Sequence, residues 1–432
     1  MSDPSTSVRN MSDAPRLMPV DEHLRLLLEA CATVPRRTSE VPVAEAHGCV
    51  LAQDVRSAVD VPAFTNSAMD GYAVRAAELV GAGDRPVVLP VAGDIPAGRT
   101  DRVTLVPGTT MRIMTGAALP DGADAVVPVE LTDGGTERVT LRQQPQVGAH
   151  VRPAGDDLSR GELALAAGTF VDARVLALLV SLGHPLVEVV VPPRVVVLST
   201  GDELVEPGGT AGHGTVVDSN GPMLVAVLRE HGFTAERVRA VADDEQGFRA
   251  RLDEVLLTHD AVITTGGVSA GAYDTVKAVL ARDGEVAFRG VAMQPGKPQG
   301  FGLVRAGDGR HVPVFTLPGN PVSSMVSYQV FAAPALRLLA GRPAEGLAGI
   351  EAVADDGWRT SAGRTQLARV RLRTEADGPH ATLAGGQGSH VLGALAHADA
   401  LAVVPAEVDE VVPGMRLTCL LLRPLPGKES LA

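Results

Sequence analysis

The chain has 432 residues, of which 45% are hydrophobic, so it is long and apolar enough to form about three domains with sizeable cores. Its formal net charge of −13, from 38 basic and 51 acidic residues without a cluster of Lys and Arg, argues against nucleic acid as a partner. No apolar run approaches the roughly 18 residues of a membrane span, and the start lacks an apolar signal core, so we expect a cytoplasmic protein without membrane contact.

The first predicted element is an amphipathic helix over residues 19–34. Pro19 and Asp21 begin it, and apolar residues recur at helical spacing. Residues 1–15 before it are polar and predict a disordered leader. The three cysteines are far apart in the sequence, which predicts free thiols in a reducing compartment.

A small, mostly β domain is predicted for residues 60–150, where short Val-rich runs alternate with turns. We expect no helix longer than two turns within it. Residues 171–183 then form a strongly apolar helix that ends at Gly183 and Pro185. The β domain is therefore expected to be inserted into an elongated linker domain made of residues 16–59 and 151–183.

Residues 184–341 are predicted to form an α/β domain with a parallel-rich sheet, because strands and helices alternate along them. The expected order is strand 194–199, helix 220–232, strand 236–241, helix 245–258, strand 261–264, helix 273–283, strands 286–291 and 312–317, and helix 321–340. A Gly-Arg-Pro break follows, and residues 342–432 show strand-like alternation. The fold class is thus α/β multidomain with a small C-terminal β domain.

Three apolar runs of the α/β segment end in glycine-containing loops with hydroxyl or amide side chains. The loops are 199–203, 264–269 and 318–321. An open parallel sheet binds ligands beyond the carboxyl ends of its strands, and glycine lets backbone amides approach an anion. Glu203 lies in the first loop and Asp274 follows the second, so phosphate held together with Mg²⁺ is one interpretation. Tight turns with helix-capping Asp and Ser are the alternative.

A set of longer motifs resembles the MoeA-type molybdopterin molybdenumtransferases, whose eukaryotic counterpart is the E domain of gephyrin. The resemblance covers residues 16–425 and includes the molybdopterin-binding fold of the central domain. The motifs are Asp60–Val74, Arg112–Ala117, Ser199–Leu204, Thr265–Asp274, Gln294–Pro298, Leu317–Pro321 and Gln387–His390.

The resemblance implies an activity, a cofactor and partners. Such an enzyme takes adenylylated molybdopterin and molybdate, requires Mg²⁺, and releases AMP and molybdenum cofactor. The family is a homodimer, with residues 16–59 and 151–183 as the dimerisation domain and each site drawing on both protomers. The adenylyltransferase that precedes it in the pathway is a further expected partner.

Five catalytic residues are implied: Asp70, Thr115, Glu203, Asp243 and Asp274, with Glu203 and Asp274 also as metal ligands. Asp70 is expected to face a cleft across the dimer, although by sequence alone it and Thr115 are equally typical of turns. Asp243 is also placed to cap helix 245–258, and both roles are compatible.

The implied substrate-binding residues supply backbone amides, hydroxyls and positive charge. They are Asp157, Ser199, Thr200, Gly201, Gly266, Gly267, Ser269, Lys297, Pro298, Pro318, Gly319, Asn320, Ser323, Arg369 and Ser389. Molybdate is a dianion that needs donors such as Lys297 and Arg369. An outward-facing strand position is the alternative for Arg369, as an exposed turn is for Asp157.

The chain departs from many relatives at Gly290 and Gln294, where they carry lysine. Two positive charges are therefore missing near the expected anion site, and Arg289 is one candidate to replace them. Two other functions compete with the transferase: a non-catalytic molybdopterin-binding scaffold, and a molybdopterin adenylyltransferase. The additional terminal domains argue against the adenylyltransferase, and the acids Asp70, Glu203, Asp243 and Asp274 argue against the scaffold.

Overall fold

The computed structural model describes residues 17–239, 244–267, 275–282 and 284–423. The chain divides into two compact units, here called the insert unit, Ser39–Val189, and the main unit, Met1–Thr38 with Val190–Ala432. The α-helices of the described residues are α1 Val20–Ala32, α2 Ala173–Ser181, α3 Asn220–Glu230, α4 Glu245–Thr258, α5 Thr275–Arg282, α6 Pro321–Ser327, α7 Ala333–Leu339 and α8 Leu392–Ala396. No helix in this part of the chain has the length and apolar content that crossing a membrane requires.

The insert unit is built almost entirely from short strands. They are β1 Thr38–Pro42, β2 Val50–Leu51, β3 Val55–Arg56, β4 Asn66–Ser67, β5 Gly71–Val74, β6 Val87–Ile95, β7 Thr110–Ile113, β8 Ala125–Pro128, β9 Arg138–Leu141, β10 Val151–Arg152, β11 Leu163–Leu165 and β12 Leu186–Val190. Five of them form one sheet in the order β8-β5-β7-β6-β9. Helical structure between residues 60 and 150 is limited to the 3₁₀ turns Ala76–Leu79 and Val129–Leu131, which confirms the prediction for this segment.

The main unit contains a six-stranded sheet in the order β16-β13-β17-β21-β20-β18. The strands from this unit up to residue 317 are β13 Arg194–Ser199, β14 Leu204–Val205, β15 Val216–Val217, β16 Thr234–Arg239, β17 Ala261–Thr265, β18 Val286–Gly290, β19 Met293–Gln294, β20 Pro298–Arg305 and β21 His311–Leu317. Strands β16, β13, β17 and β21 run parallel, and β20 runs antiparallel to both of its neighbours, β21 and β18. The predicted parallel-rich sheet is confirmed.

Alternate residues of the parallel strands are buried against helices on both faces of this sheet. On β13, Val195 and Val197 pack in one cluster with residues of α1, α3 and α7, whereas Val196 and Leu198 pack in another with Phe248 of α4. Because both faces are covered, these strands are apolar throughout rather than alternating. That continuous apolar pattern is what made them recognisable in the sequence.

One strand that the sequence did not predict is β20, which contains glycine at position 300. An ideal Cβ on Gly300 would lie 1.9 Å from Oγ1 of Thr316 on the neighbouring strand, so no larger residue fits there. Glycine weakens the local signal for a strand, although here it permits two backbones to approach closely.

The predicted helix over residues 321–340 is divided in the structure. A π-helical turn, Tyr328–Ala332, separates α6 from α7. Pro334 has no N–H to donate to the carbonyl of Val330 four residues earlier, which accounts for the interruption. The segment nevertheless remains buried against the sheet, with Tyr328, Phe331 and Leu336 in its core cluster.

The C-terminal part of the main unit forms a small closed sheet. Its strands are β22 Gly349–Ala354, β23 Trp358–Arg359, β24 Thr365–Glu375, β25 Gly378–Leu383, β26 Ala400–Val404, β27 Glu410–Val411 and β28 Arg416–Leu421. The order β24-β25-β22-β28-β26 closes because β26 also pairs with β24. Closure leaves no free edge within this ring of strands and explains the alternation seen in the sequence.

Candidate active site

A cavity of the main unit lies at the carboxyl ends of the parallel strands. Register brings Ser199, Thr265 and Leu317, the last residues of β13, β17 and β21, into line across the sheet. The loops after them therefore meet at one edge, where they border a cavity of about 730 Å³. Its volume is within the range of roughly 300–1,000 Å³ that is typical of small-molecule sites.

Two groups of predicted binding residues line this cavity. The loop residues are Thr200, Gly201, Glu203, Gly266, Gly267, Pro318, Gly319 and Asn320, and the others are Lys297, Pro298, Ser323 and Ser389. The structure thus brings together twelve residues that the sequence singled out. Ser199 is buried and does not line the cavity; an ideal Cβ on Gly221, at the start of α3, would lie 2.6 Å from its hydroxyl oxygen.

The glycine loops are held against each other by backbone contacts. Gly266 N donates to the carbonyl of Leu317 at 3.2 Å, and Thr200 N donates to the carbonyl of Thr265 at 3.2 Å. An ideal Cβ on Gly319 would lie 3.5 Å from Cα of Gly266, so the second and third loops are in close contact. This packing fixes the edge of the cavity without side chains.

Replacing Gly266 by alanine should destabilise the main unit by about 1–3 kcal/mol. Gly266 has a φ of +93°, and an added Cβ would lie 2.8 Å from the carbonyl oxygen of Thr200. The matched control is Gly208→Ala, because Gly208 has a φ of +89° but open space around its Cβ position. Urea denaturation should show the larger loss for Gly266→Ala, and equal losses would contradict the argument from close contact.

The buried side-chain amide of Asn220 connects the second and third loops. Asn220, the first residue of α3, donates through Nδ2 to Oγ1 of Thr265 at 2.8 Å and to the carbonyl of Gly319 at 2.7 Å. Asn320 then donates to Oγ of Ser389 at 2.9 Å, which links the third loop to the C-terminal strands. The cavity wall is therefore one hydrogen-bonded structure.

The charges around the cavity are one acid and two bases among the described residues. Glu203 is the acid, and its carboxylate lies against the backbone of Gly201, whose ideal Cβ would lie 2.5 Å from Oε2 of Glu203. Lys297 and Arg364 are the bases. A locally positive cavity in a chain of net charge −13 favours an anionic ligand.

Arg369, predicted to bind the anion, is fully buried on the face of β24 opposite to Ala368 and Val370, which pack in the core of the C-terminal strands. Its Nη2 donates to the carbonyls of Gly386 at 2.8 Å and Gly388 at 3.2 Å, and burial lowers the pKa of its guanidinium. β24 is buried along most of its length, so a charged residue in its middle is enclosed. Arg369 therefore positions the loop before Ser389. It does not line the cavity, and it is not the solvent-exposed strand residue that the alternative supposed.

Several lining residues were missed by sequence reasoning. Arg364 and His390 face the cavity together with Gln387, and Thr275 lines it from the start of α5. Arg364 directly precedes β24, the strand that contains Arg369. The position of Arg364 just before the strand could have indicated a role at the cavity, since loop residues at a strand end reach a cavity more readily than buried strand residues do.

The structure shows where the two positions without lysine, Gly290 and Gln294, and the candidate replacement Arg289 lie relative to the cavity. Gln294 lines the cavity, whereas Arg289, the candidate replacement, is not among the lining residues. Together with burial, which is the larger cause, Arg289 lowers the pKa of His23 to about 4. Arg364 is the arginine that adds positive charge to this cavity.

Asp70, Thr115 and Asp157 belong to the insert unit. Oδ1 of Asp70 accepts hydrogen bonds from the backbone N and from Oγ1 of Thr115, both at 2.7 Å. These bonds, the backbone one foremost, hold the pKa of Asp70 below its usual value. Asp157 is exposed in a turn, where its N donates to the carbonyl of Val61 at 3.0 Å.

Replacing Thr115 by valine should raise the pKa of Asp70, because the hydroxyl donor is lost. The value should stay below the ordinary one, since the backbone donor remains. The ionised carboxylate of Asp70 stabilises the folded state at pH values above the pKa that Asp70 has in the unfolded chain. This stabilisation is lost as the pH falls through the pKa of Asp70 in the folded state, so Thr115→Val should lose it at a higher pH than the unmodified chain does. Carbon-detected NMR titration measures this, with Thr109→Val as control; an unchanged pKa in Thr115→Val would contradict the assignment.

Asp243, Ser269 and Asp274 lie outside the described residues, as does the predicted leader. Within the described ranges, no group of three or more His, Cys, Asp or Glu side chains is arranged to hold a metal ion.

Comparison with known proteins identifies the family of the chain. It matches the MoeA N-terminal region (domain I and II) at residues 18–183, a probable molybdopterin binding domain at 196–338, and the MoeA C-terminal region (domain IV) at 351–422. The chain belongs to the MoeA family. The predicted family is thereby confirmed.

Relatives and solved structures in the MoeA family cover nearly the whole chain. Molybdopterin molybdenumtransferase 2 of Mycobacterium tuberculosis is 44% identical over 410 residues, 92% of this chain and 98% of the relative. Molybdopterin molybdenumtransferase 1 of the same organism is 36% identical over 414 residues, 91% and 96% of the two chains. The crystal structure of a molybdopterin biosynthesis MoeA protein from Pyrococcus horikosii has a TM-score of 0.77 at 29% identity and covers 95% of this chain and 100% of that one. The chain therefore has a MoeA-like multidomain fold.

Proposed function

We propose that the chain is a molybdopterin molybdenumtransferase that inserts molybdate into adenylylated molybdopterin and releases AMP, the last step of molybdenum cofactor biosynthesis. The class of the reaction follows from membership of the MoeA family. The observation that carries the proposal is the cavity at the strand ends, which combines glycine loops, Glu203, Lys297 and Arg364.

The loops would bind the phosphates of the nucleotide-linked substrate. Gly201, Gly266 and Gly319 border the cavity with little side-chain bulk, so a phosphate can approach the backbone closely. Fixed amide dipoles that face developing negative charge stabilise the transition state of phosphoanhydride cleavage. Attack of water on the phosphoanhydride would release AMP with its own phosphate and leave the other phosphate on molybdopterin.

Molybdate would bind in the same cavity, beside its basic residues. Lys297 and Arg364 supply charge, and the hydroxyls of Ser323 and Ser389 supply neutral donors. Arginine and lysine bind tetrahedral oxyanions through charge-assisted hydrogen bonds. The substrate phosphates and molybdate would then share one cavity, and Lys297 and Arg364 would compensate part of their negative charge.

Mg²⁺ fits this donor set as part of the proposal. Magnesium is commonly held by one or two carboxylates, with substrate phosphates and water completing its coordination. Glu203 is the acid that lines the cavity within the described residues, and Asp274 remains the second proposed ligand. When bound, the ion would neutralise charge on the phosphates. Glu203 itself would orient the ion and exclude competing anions.

The homodimer, the cytoplasmic location and an interaction with the preceding adenylyltransferase are further parts of the proposal. Sedimentation velocity tests the dimer directly. In a homodimer with shared sites, mixing an Asp70→Asn variant with a Glu203→Gln variant should restore about a quarter of the activity, because random subunit exchange makes half of the dimers heterodimers and each heterodimer has one intact site of two. Full independence of the protomers predicts no restoration.

One assay separates the transferase from its two alternatives. The purified protein is incubated with adenylylated molybdopterin, Mg²⁺ and molybdate, and AMP release is followed. Molybdate-dependent release of AMP supports the transferase. Consumption of ATP with free molybdopterin would instead indicate an adenylyltransferase, and binding of molybdopterin without turnover would indicate a scaffold.

Replacing Arg364 by glutamine should raise the KM for molybdate roughly tenfold or more, while kcat at saturating molybdate changes little. A hydrogen bond to a charged group contributes about 1.5–3 kcal/mol, and about 1.4 kcal/mol corresponds to a tenfold change. Arg364→Lys should restore part of the affinity. Arg359→Gln, at an exposed residue of β23, is the matched control. An unchanged KM in Arg364→Gln would exclude Arg364 from the molybdate site.

A further inference from the structure

A second cavity lies at the opposite end of the central sheet, among the amino-terminal ends of the parallel strands. Arg194 is the first residue of β13, Asp260 directly precedes β17, and His311 is the first residue of β21. Arg36 and Arg37, in the link between α1 and β1, complete the polar wall. This cavity, here called the arginine cavity, measures about 560 Å³.

Asp260 organises the guanidinium groups of the arginine cavity. It accepts hydrogen bonds from the backbone N of Arg194 at 2.9 Å and from its Nε at 3.1 Å. Nε of Arg37 lies 3.6 Å from Oδ2 of Asp260, and Nη1 of Arg310 lies 3.7 Å from Oδ1. Burial alone would raise the pKa of Asp260, but the hydrogen bonds from Arg194 outweigh it and the pKa is lowered. The carboxylate is therefore charged at neutral pH.

The positive charges of the arginine cavity exceed its negative ones. Four arginines and two aspartates line it, which gives a net charge of about two positive units before any contribution from His311. The second aspartate, Asp308, is bound to Nε of Arg310 at 2.7 Å. Among the described residues, no acidic side chain pairs with Arg36. A concave positive surface on a chain of net charge −13 concentrates small anions from solution.

The rest of the wall is apolar. It is formed by Val34, Pro35, Val191, Pro193, Leu257 and Leu339. Arginine binds phosphate through paired N–H donors, and an apolar wall beside it provides a surface for the organic part of a ligand. An inorganic ion would use only the arginine side of this cavity.

We propose that the arginine cavity binds a small organic phosphate monoester, with the phosphate at Arg36 and Arg37 and the apolar body against the proline-containing wall. The inference goes beyond the proposed transferase function, because it concerns the opposite edge of the sheet and none of the residues of the strand-end cavity.

The test is calorimetric titration of phenyl phosphate into the full chain at low ionic strength. We expect saturable binding of one molecule per chain, weakening as NaCl is added. The double variant Arg36→Gln/Arg37→Gln should bind at least about tenfold more weakly, since two charge-assisted contacts are lost. The matched control Arg25→Gln/Arg282→Gln removes two exposed arginines elsewhere and should bind as the unmodified chain does.

Three results would overturn the proposal. They are the absence of saturable binding at millimolar phenyl phosphate, equal affinity in the Arg36/Arg37 variant, and weaker binding in Arg364→Gln, which would place the ligand in the other cavity. Inorganic phosphate should bind more weakly than phenyl phosphate, and equal affinities would contradict a role for the apolar wall. Arg36 and Arg37 are exposed, so thermal denaturation should show that their replacement leaves the fold intact.

Discussion

Replacing Glu203 by glutamine should lower the rate of AMP release at least about 100-fold while leaving the Tm unchanged. The side chain is exposed at the cavity and carries no structural hydrogen bond among those of the described residues, so the fold does not depend on its charge. Removing one group that stabilises charge in a transition state typically costs about 10²–10³ in rate. Single-turnover measurement of AMP release from adenylylated molybdopterin tests the effect on chemistry separately from binding.

The adjacent Asp202 provides the control for Glu203. It is exposed, carries the same charge and does not line the cavity, so Asp202→Asn should retain near-normal turnover. Comparable losses in both variants would show that overall charge matters rather than the position of the Glu203 carboxylate. Normal turnover in Glu203→Gln would remove Glu203 from the reaction altogether.

Replacing Asn220 by aspartate should destabilise the main unit by about 2–4 kcal/mol and strongly reduce turnover. Nδ2 of Asn220 donates to Thr265 and to the carbonyl of Gly319, and its side chain is buried. A carboxylate oxygen in the same place would face the carbonyl oxygen of Gly319 without a proton between them. It would also add negative charge beside the buried Asp218.

Urea denaturation measures the loss for Asn220→Asp, and Asn320→Asp is the matched control. Asn320 is exposed, and its partner is the hydroxyl of Ser389, which can donate to a carboxylate, so the same chemical change there should alter stability by less than about 0.5 kcal/mol. A destabilisation of Asn220→Asp as small as that of the control would mean that the amide does not hold the two loops together. Any loss of turnover in Asn220→Asp would then need a cause other than separation of the two loops.

The central sheet was predictable from the sequence because its parallel strands are buried on both faces. Runs such as residues 195–198 are apolar throughout, and each ends in a glycine loop. Once the strands are parallel, their carboxyl ends meet at one edge, which places Thr200, Gly266 and Gly319 together without further information. The loop half of the cavity was therefore accessible before the structure.

The parts that escaped prediction depend on contacts distant in sequence. Nothing local shows that Asn220 reaches Gly319, which is 99 positions away. Likewise, Arg369 is buried under the loop of Gly386 and Gly388, which lies 17 to 19 positions later, and Arg364 reaches the cavity because it precedes that strand. Residue type alone could not distinguish the two arginines.

Strand β20 and the divided helix show a different limit. Gly300 weakens the strand signal because its small size serves a close approach to Thr316 rather than local propensity. Pro334 lies within an apolar run that otherwise reads as one helix, and the resulting π turn keeps the apolar face directed at the core. In both cases packing between elements decides the local structure.

A crystal structure of the Glu203→Gln variant with adenylylated molybdopterin is the most direct test of the central claim, that the reaction takes place in the strand-end cavity. The account predicts that the phosphates lie against the loops of Gly201, Gly266 and Gly319. Molybdate, or tungstate as a heavier substitute, should then lie near Lys297 and Arg364. Substrate bound elsewhere on the protein, with this cavity unchanged, would contradict it.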